Sequence, residues 1–406
     1  MSTTRTESQS NKTGRRDSSQ AKPPRDHRAL GLDILRFVAV SLVVFRHMQI
    51  FDCPPDAGRP GVLFHGMVYT LNRGGWVGVD IFFVLSGFLV SGLLFREWRQ
   101  RQEVFIGRFL LRRGLKIYPS FWFFLISMLV LSAIRHEPVN TRDLVGEIFF
   151  LQNLWGNLFT HTWSLAVEEH FYLLCAAGTW LLLRMQRNAG QNPFKSIPLL
   201  FVLVASFCLV TRLVSNMVYV TPPIRVRHLL FGTHIRIDSL FFGVFLSYFW
   251  HFYFTAKHHR LIHQYRWVFV LVGIGLFTPM FFGDLVDLRQ TWMRVYGFVL
   301  CYLAGGALLF GFLKIFEGAK SRLARFLGFL GANSYSVYLW HFVGIDFAGS
   351  LFTQRTHEAG AWLGYCLLSN GVAWGIGIIA ARVVEFPMLK LRDRWFPSRI
   401  TRPLKG

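Results

Sequence analysis

The sequence predicts an all-α, polytopic integral membrane bundle of about ten transmembrane helices, and three observations carry this prediction. Of its 406 residues, 52% are hydrophobic and 17% aromatic but only 16% are charged, a composition too apolar for an ordinary soluble domain. Apolar runs of about 18 to 23 residues recur along the chain, close to the length that crosses a bilayer as a helix. Lys and Arg cluster in alternate connections between these runs.

Ten apolar runs are the predicted spans. They cover residues 31–50, 76–95, 117–134, 162–184, 198–219, 234–254, 266–283, 293–313, 331–350 and 361–384. The stretch 145–157 is apolar but short and holds polar side chains, so we expect an interfacial or re-entrant segment there. Residues 1–29 are predicted to be a disordered basic tail, 30–390 the transmembrane domain, and 391–406 a short basic tail.

The basic blocks predict the orientation. The N-terminal tail and the stretch 96–116 are the richest in Lys and Arg, so we expect both on the cytoplasmic side. An even number of spans then puts both termini in the cytoplasm. Because the net charge of +22 comes from short blocks between apolar runs rather than from one face, nucleic-acid binding is not expected. The five cysteines form no C-x-x-C pair, so no metal site is expected.

The first predicted span contains Arg36 and His47. Eleven residues of helix place them about 16 Å apart along the axis and within about 20° of the same face. One stripe would therefore connect a cation near the inner end to an imidazole in the outer half. In the alternative interpretation, Arg36 extends to the inner headgroups and His47 lies at the outer interface.

The fourth predicted span begins near Trp163 and contains Glu168 and Glu169. Adjacent residues of a helix lie about 100° apart around the axis, so at least one carboxylate is expected to face the interior. We expect their depth to resemble that of His47, and a carboxylate near an imidazole increases its basicity toward an alcohol proton. The alternative is a structural glutamate paired with a basic residue.

Other polar residues in the predicted spans are further candidates. Arg236 and Asp238 are two residues apart and either balance each other or contact an acceptor; His341 is either a site residue or a hydrogen-bonded structural one. Asp80 lies in the Gly- and aromatic-rich stretch 75–89, where small residues permit close helix packing or a local break beside a cavity. The candidate substrate-binding residues are Asp80, Trp163, Arg236, Asp238 and His341.

A basic cluster precedes Tyr118-Pro119 and consists of Arg108, Arg112, Arg113 and Lys116. Spacing of three to four residues aligns several of these side chains on one helical face, where they would form a cradle for phosphates. The alternative is that the positive-inside bias and the attraction of anionic lipids account for the cluster.

In this order, the motifs resemble acyltransferase family 3, membrane proteins that include bacterial O-acetyltransferases of glycans. The likeness covers about residues 30 to 390 and is more specific as an ordered set than any single motif. It rests on Arg36 with His47 eleven positions later, the block 78–88, Arg112-Arg113 through Ile117-Tyr118-Pro119, Trp163-Ser164-Leu165 with Glu168-Glu169, and the late motifs 335–341 and 385–387.

The resemblance implies a multi-pass protein of the bacterial inner (cell) membrane that moves an acyl group, expected to be acetyl, from cytoplasmic acyl-coenzyme A to a hydroxyl of a sugar, glycan or other acceptor. By resemblance His47 is the catalytic histidine and Glu168 or Glu169 assists it. The acyl-coenzyme A would be held by Arg36, Arg112, Arg113 and Lys116, with no metal. General-base attack and an acyl-enzyme route both stay open.

Two departures and one partner question accompany the resemblance. His170 stands where Gln is expected, and Lys116 where Arg is common, so the donor cradle is expected to be arranged differently. Family members with a fused extracytoplasmic hydrolase-like domain have a long C-terminal extension. Since none follows the last predicted span, we expect this chain to act alone or with a separate extracytoplasmic transferase partner.

The competing hypothesis is a transporter or flippase for a glycan or lipid-linked intermediate, because buried charges also suit a translocation pathway. It predicts inverted repeats and broken helices in matching halves, which the sequence does not display. A non-catalytic membrane scaffold would leave Arg36, His47, Glu168 and Glu169 unexplained.

Overall fold

The computed structural model is all-helical. It describes residues 27–50, 58–185, 192–219, 229–283, 291–352 and 359–397, and no strand occurs among them. The helices are α1 (His27–His47), α2 (Gly58–Gly74), α3 (Val77–Arg101), α4 (Ile106–Ile134), α5 (Thr141–Ile148), α6 (Trp163–Met185), α7 (Ile197–Tyr219), α8 (Thr233–Phe252), α9 (Ala256–Gln264), α10 (Arg266–Phe282), α11 (Phe298–Ile315), α12 (Arg322–Ala332), α13 (Ser334–Phe352), α14 (Ala359–Ala380) and α15 (Phe386–Trp395).

Each of the ten predicted spans coincides with a helix. Among the described residues, five helical segments are long and apolar enough to cross a membrane, and α9 with α10, bent by 65° between them, makes a sixth if the pair is one span. The five are Val77–Arg101, Ile106–Ile134, Ile197–Val218, Met293–Ile315 and Gly360–Trp395. The chain is therefore a multi-pass helical membrane protein. The predicted N-terminal tail lies almost wholly outside the described residues, as does the end of the C-terminal one.

The remaining predicted spans are α1, α6, α8 and α13, which do not meet the same criterion of apolarity. They are also the helices that carry His47, Glu168, Arg236 and His341. Ionisable side chains lower the apparent hydropathy of a helix that buries them against other helices. By contrast, the apolar stretch of α7 is only 17% buried, so that helix presents most of its surface outward, as a lipid-facing helix does.

Helix α3 is central, and 78% of its most apolar stretch is buried. It packs against α1, α8 and α11. A Cβ at Gly87 would collide with the carbonyl of Leu240, and one at Gly243 with the carbonyl of Val84, so these glycines permit close approach of α3 and α8. Close packing therefore explains the Gly-rich stretch 75–89, since α3 continues unbroken from its first residue to its last.

Two buried ion pairs join α3, α7 and α8. Arg236 of α8 donates to Asp80 of α3 at 2.9 Å. Arg212 of α7 binds both carboxylate oxygens of Asp238 at 2.6 and 2.7 Å. Of the two alternatives for Arg236 and Asp238, mutual pairing is not observed, because two residues of separation turn their side chains toward different neighbouring helices.

The connection between α4 and α6 is folded around Glu147. Its Oε1 accepts hydrogen bonds from the Leu158 and Phe159 amides and the Thr162 hydroxyl, at 3.2, 3.3 and 2.8 Å. The helix in this connection, α5, has only eight residues, too few to cross a bilayer. The stretch 145–157 thus combines the end of a short helix with a connection that contains buried polar groups.

The Arg212–Asp238 pair predicts a double-mutant result. Asp238→Leu leaves the buried Arg212 guanidinium without its carboxylate and is expected to destabilise the protein by about 3–5 kcal/mol. Arg212→Leu with Asp238→Leu removes both charges and is expected to recover most of that loss. Thermal unfolding of the detergent-solubilised protein measures both; a double variant no more stable than Asp238→Leu would contradict the assignment.

Glu147 lies outside the spanning segments and predicts a pH dependence of stability. Burial raises its pKa from the usual 4.5 to about 7, although its hydrogen bonds oppose the shift. A carboxyl whose pKa rises on folding stabilises the fold fully below its unfolded pKa, and this contribution is lost as pH rises through the folded pKa. The melting temperature of Glu147→Gln relative to wild type should therefore increase between about pH 5 and pH 8, and parallel pH profiles would contradict the prediction.

Candidate active site

A cavity of about 430 Å³ lies between α1, α3, α4, α6, α13 and α15. Its walls contain both ionic and apolar side chains. The apolar part is formed mainly by α3, with Val79, Phe82, Leu85, Leu89 and Val90 facing it. The cavity thus extends along most of the length of α3, from Val79 in its first turn to Arg96 near its C-terminal end.

One end of the cavity is strongly basic. Seven cationic side chains line the cavity against three acidic ones, and most of the cations lie toward the predicted cytoplasmic side. The seven are Arg36, Arg96, Arg108, Arg112, Arg113, Lys116 and Arg392. The spacing of the basic cluster in α4 does align its four members on one face, as predicted, because all four reach the same cavity.

Several of these cations are held in place by neighbours. Arg112 donates to Asp393 at 2.9 Å and also to the Phe396 carbonyl, while Arg36 donates to Asp33 at 2.6 Å. The Arg113 guanidinium lies over the Tyr172 ring, 5.5 Å from its centroid. Fixed cations of this kind, with planar donors pointing into a cavity, suit the binding of phosphate groups.

The two glutamates of α6 lie in the middle of the cavity with tyrosines. Tyr172 donates to Glu168 at 2.8 Å and is itself 2.8 Å from the Ser86 hydroxyl. Tyr118 donates to Glu169 at 3.0 Å. The two carboxylates therefore lie in a polar band of the cavity, between its basic end and the opposite end.

At the end opposite the basic one, two hydroxyl side chains line the cavity. The Ser164 and Tyr338 oxygens are 2.6 Å apart, and the Tyr338 hydroxyl donates to the His161 carbonyl at 2.6 Å. The Tyr338 ring centroid is 5.8 Å from the ring centroids of both His161 and His341, which do not line the cavity themselves. Tyr338 thus separates the cavity from a group of histidines.

His47, His161 and His341 form this group, called here the histidine cluster. His47 Nδ1 is 3.0 Å from His341 Nε2, and the ring centroids of His161 and His341 are 5.1 Å apart. Phe342 packs against all three rings. The His47 imidazole therefore contacts another imidazole of the bundle.

The end of α1 that carries His47 is fixed by Asn72 of α2. The Asn72 amide nitrogen lies 3.0, 2.9 and 2.9 Å from the carbonyl oxygens of Phe45, Arg46 and Met48. The carbonyls of a final helical turn have no partners within the helix. Asn72 supplies such partners from a neighbouring helix and so restrains the backbone around His47.

The structure brings some predicted site residues together and separates others. Arg36, Arg112, Arg113, Lys116, Glu168 and Glu169 share the cavity, and His47 and His341 share the histidine cluster. Both glutamates accept hydrogen bonds from tyrosines. Neither contacts His47, which differs from the expectation that one of them assists the histidine. Four candidates lie off the cavity wall among the buried ion pairs: Asp80, Trp163, Arg236 and Asp238.

Three residues of the candidate site, His161, Tyr338 and Arg392, were not predicted from the sequence. His161 lies in a 3-10 turn just before α6, outside the predicted span, and only the fold brings it beside His341. Tyr338 lies three residues before His341, about one helical turn away. This spacing places both side chains on one face of the helix, so it could have identified Tyr338 as a neighbour of His341. Arg392 approaches the basic cluster through packing of α15 against α4, which the sequence does not reveal.

Comparison with known proteins gives a consistent result. A family model described as an acyltransferase domain matches residues 30–380. The chain is 28% identical over 353 residues to O-acetyltransferase OatA of Staphylococcus aureus (strain NCTC 8325 / PS 47), a match covering 80% of this chain and 55% of the relative. It is 26% identical over 351 residues to peptidoglycan O-acetyltransferase OatA of Listeria monocytogenes, covering 81% of this chain and 54% of the relative.

The match to each of these relatives covers about half of the relative's length. A putative O-acetyltransferase of Staphylococcus aureus (strain COL) is 27% identical over 319 residues, which cover 71% of this chain and 50% of the relative. No solved structure matches the chain.

Proposed function

This chain belongs to acyltransferase family 3, and from that premise we propose that it transfers an acyl group, preferably acetyl, from acyl-coenzyme A to a hydroxyl of a glycan or similar acceptor. One observation carries the proposal. A single cavity has a cluster of cations at one end and, at the other, a hydroxyl pair that separates it from the histidine cluster. The names of the relatives, O-acetyltransferase and peptidoglycan O-acetyltransferase, support acetyl as the acyl group and a glycan as the acceptor.

The donor end of the cavity is suited to coenzyme A. Its diphosphate and ribose phosphate would bind Arg112, Arg113 and Lys116, with Arg36 deeper along the path. The buried Nε of Arg108 has no hydrogen-bond partner among the described residues, so a donor is available for an anionic ligand. The apolar wall of α3 would cover the pantetheine arm.

The same arrangement supports a topology. With the basic end of the cavity in the cytoplasm, the ten helices at the predicted spans would alternate so that both termini are cytoplasmic. The donor would then enter from the cytoplasm and the acceptor from the outer side, where His47 ends α1. Residence in a bacterial inner (cell) membrane follows from the family resemblance and from the bacterial relatives.

In the proposed reaction, His47 is the general base. It removes the proton of the acceptor hydroxyl, whose oxygen forms a bond to the thioester carbonyl carbon. The carbon–sulfur bond then breaks, and the departing thiolate takes the proton from His47. Because Tyr338 separates the cavity from the histidine cluster, its side chain has to rotate before the thioester and His47 meet.

Glu168 and Glu169 have a different role in this scheme from the one the resemblance implies. Both glutamates line the cavity, and each accepts a hydrogen bond from a tyrosine. We therefore place them on the donor side, where they fix Tyr172 and Tyr118 beside the path of the acyl arm. Arg113, stacked on Tyr172, connects this polar band to the phosphate end.

Transfer of radiolabelled acetyl from acetyl-coenzyme A tests the reaction directly. In membranes that contain the full chain, His47→Ala is expected to lower labelling of the glycan fraction by about 100-fold or more, since general base catalysis contributes that much. His136→Ala is the matched control, because His136 is an exposed histidine after α4 and its loss should leave labelling unchanged.

Two results would count against the proposal. Equal labelling by His47→Ala and wild type would remove His47 from the mechanism. Wild-type membranes that take up a labelled glycan or lipid-linked intermediate but transfer no acetyl would instead support the transporter hypothesis.

The basic end predicts a second, independent measurement. Arg113→Gln removes a charge-assisted contact and is expected to weaken coenzyme A binding by about 10- to 100-fold, as the loss of a hydrogen bond to a charged group does. Arg325→Gln is the control, because Arg325 is an exposed arginine of α12 that does not line the cavity. Titration calorimetry of the purified chain gives both affinities, and equal values would place the donor elsewhere.

A further inference from the structure

The protons in the histidine cluster can be assigned from the hydrogen bonds. His341 Nδ1 is 2.6 Å from the carbonyl oxygen of Tyr338, which only accepts hydrogen bonds, so Nδ1 of His341 carries the proton. The neutral His341 ring then has a lone pair on Nε2. His47 Nδ1 lies 3.0 Å from that Nε2 and 3.0 Å from the Val43 carbonyl, and both partners are acceptors. Nδ1 of His47 therefore carries its proton as well.

The consequence concerns the other nitrogen of His47. Both ring hydrogen bonds that the described residues make with His47 use Nδ1. A neutral imidazole protonated on Nδ1 has its lone pair on Nε2. Nε2 is then the nitrogen able to accept a proton, and its direction is set by the partner that holds Nδ1.

We infer that His341 is the positioning residue of His47: by accepting the Nδ1 proton it selects the tautomer and the ring orientation that present an unprotonated Nε2 for catalysis. The inference deepens the proposed function and rests on it for its catalytic consequence. His341 thereby takes the role of assisting His47, which was expected of Glu168 or Glu169. It also ceases to be a candidate for binding the substrate.

Burial explains why an imidazole takes this role. His341 has no exposed surface, and Phe342 packs on both His341 and His47. A carboxylate at this position would be a buried charge without a cation to balance it, which is costly. A neutral imidazole accepts the same hydrogen bond without that cost, because its own Nδ1 proton is satisfied by a backbone carbonyl.

Among the described residues, three other ionisable groups act on His47. His341 faces it from α13, His161 approaches from the connection before α6, and Arg46 precedes it on α1. His161 donates from Nε2 to the Leu339 carbonyl at 3.1 Å, so its proton is bound to the backbone of α13. Of these groups, His341 is the one whose ring is hydrogen-bonded to the His47 ring.

Nitrogen-15 NMR of the full chain labelled at histidine tests the tautomer without any activity measurement. His47 and His341 signals are assigned by their loss in His47→Ala and His341→Gln. The expected result is two neutral rings, each protonated on Nδ1, with a scalar coupling across the hydrogen bond from His47 Nδ1 to His341 Nε2. A His47 ring protonated on Nε2 in the wild-type protein would overturn the inference.

The kinetic test compares two replacements of His341. Leu cannot accept a hydrogen bond, and His341→Leu is expected to lower kcat for acetyl transfer by about 10- to 100-fold, as loss of a residue that orients a histidine does, with KM for acetyl-coenzyme A within about twofold of wild type. Gln keeps an acceptor oxygen, so His341→Gln should retain kcat within about fivefold. Coenzyme A binding by both variants checks that they fold.

The outcomes separate this inference from the proposed function. Equal loss of kcat in the Leu and Gln variants, with coenzyme A binding intact, would overturn the positioning role of His341. Acetyl transfer that survives His47→Ala would overturn the catalytic role of His47. The tautomer seen by NMR would still decide whether His341 accepts the hydrogen bond from Nδ1 of His47.

Discussion

The arrangement of this protein depends on one constraint: an ionisable side chain buried within a membrane bundle needs its partner inside the protein, because lipid supplies none. Arg212 and Arg236 meet this need with aspartates on neighbouring helices. His47 meets it with a second imidazole, and Glu168 with the hydroxyl of Tyr172. Of these pairs, the two arginine–aspartate pairs and the histidine pair also join neighbouring helices to one another.

The constraint divides the polar interior into two regions with different uses. In the region between α3, α7 and α8, cations and carboxylates are matched and fully buried, which fixes the relative positions of these helices. In the cavity between α3, α4 and α6, cations outnumber acids. An excess of positive charge that borders an open volume favours an anionic ligand, and the coenzyme A thioester proposed above is such a ligand.

The sequence predicted well those features that depend on local periodicity. Apolar runs located the helices, and spacing of three and four residues correctly placed Arg108, Arg112, Arg113 and Lys116 on one face. The pairing of Asp80 with Arg236 was not predictable in this way, since the residues are 156 positions apart and meet only through packing of α3 on α8. The ion pair of Arg212 with Asp238 was not predicted for a related reason. A single arginine in an apolar run does not indicate which residue it pairs with.

The candidate site shows the same limit. Depth along the helices suggested that Glu168 or Glu169 would lie near His47, but equal depth does not fix which side of the bundle a side chain faces. In the structure the glutamates turn to the cavity and His47 turns to α13. Contacts across the bundle therefore could not be predicted from positions along individual helices.

Determination of the structure of the chain with bound coenzyme A, by electron cryomicroscopy in a lipid nanodisc, tests the central claim most directly. The account predicts phosphate density against Arg112, Arg113 and Lys116, with the sulfur end of the molecule pointing toward Ser164 and Tyr338. Coenzyme A bound elsewhere on the protein, or in the reverse direction within the cavity, would contradict it.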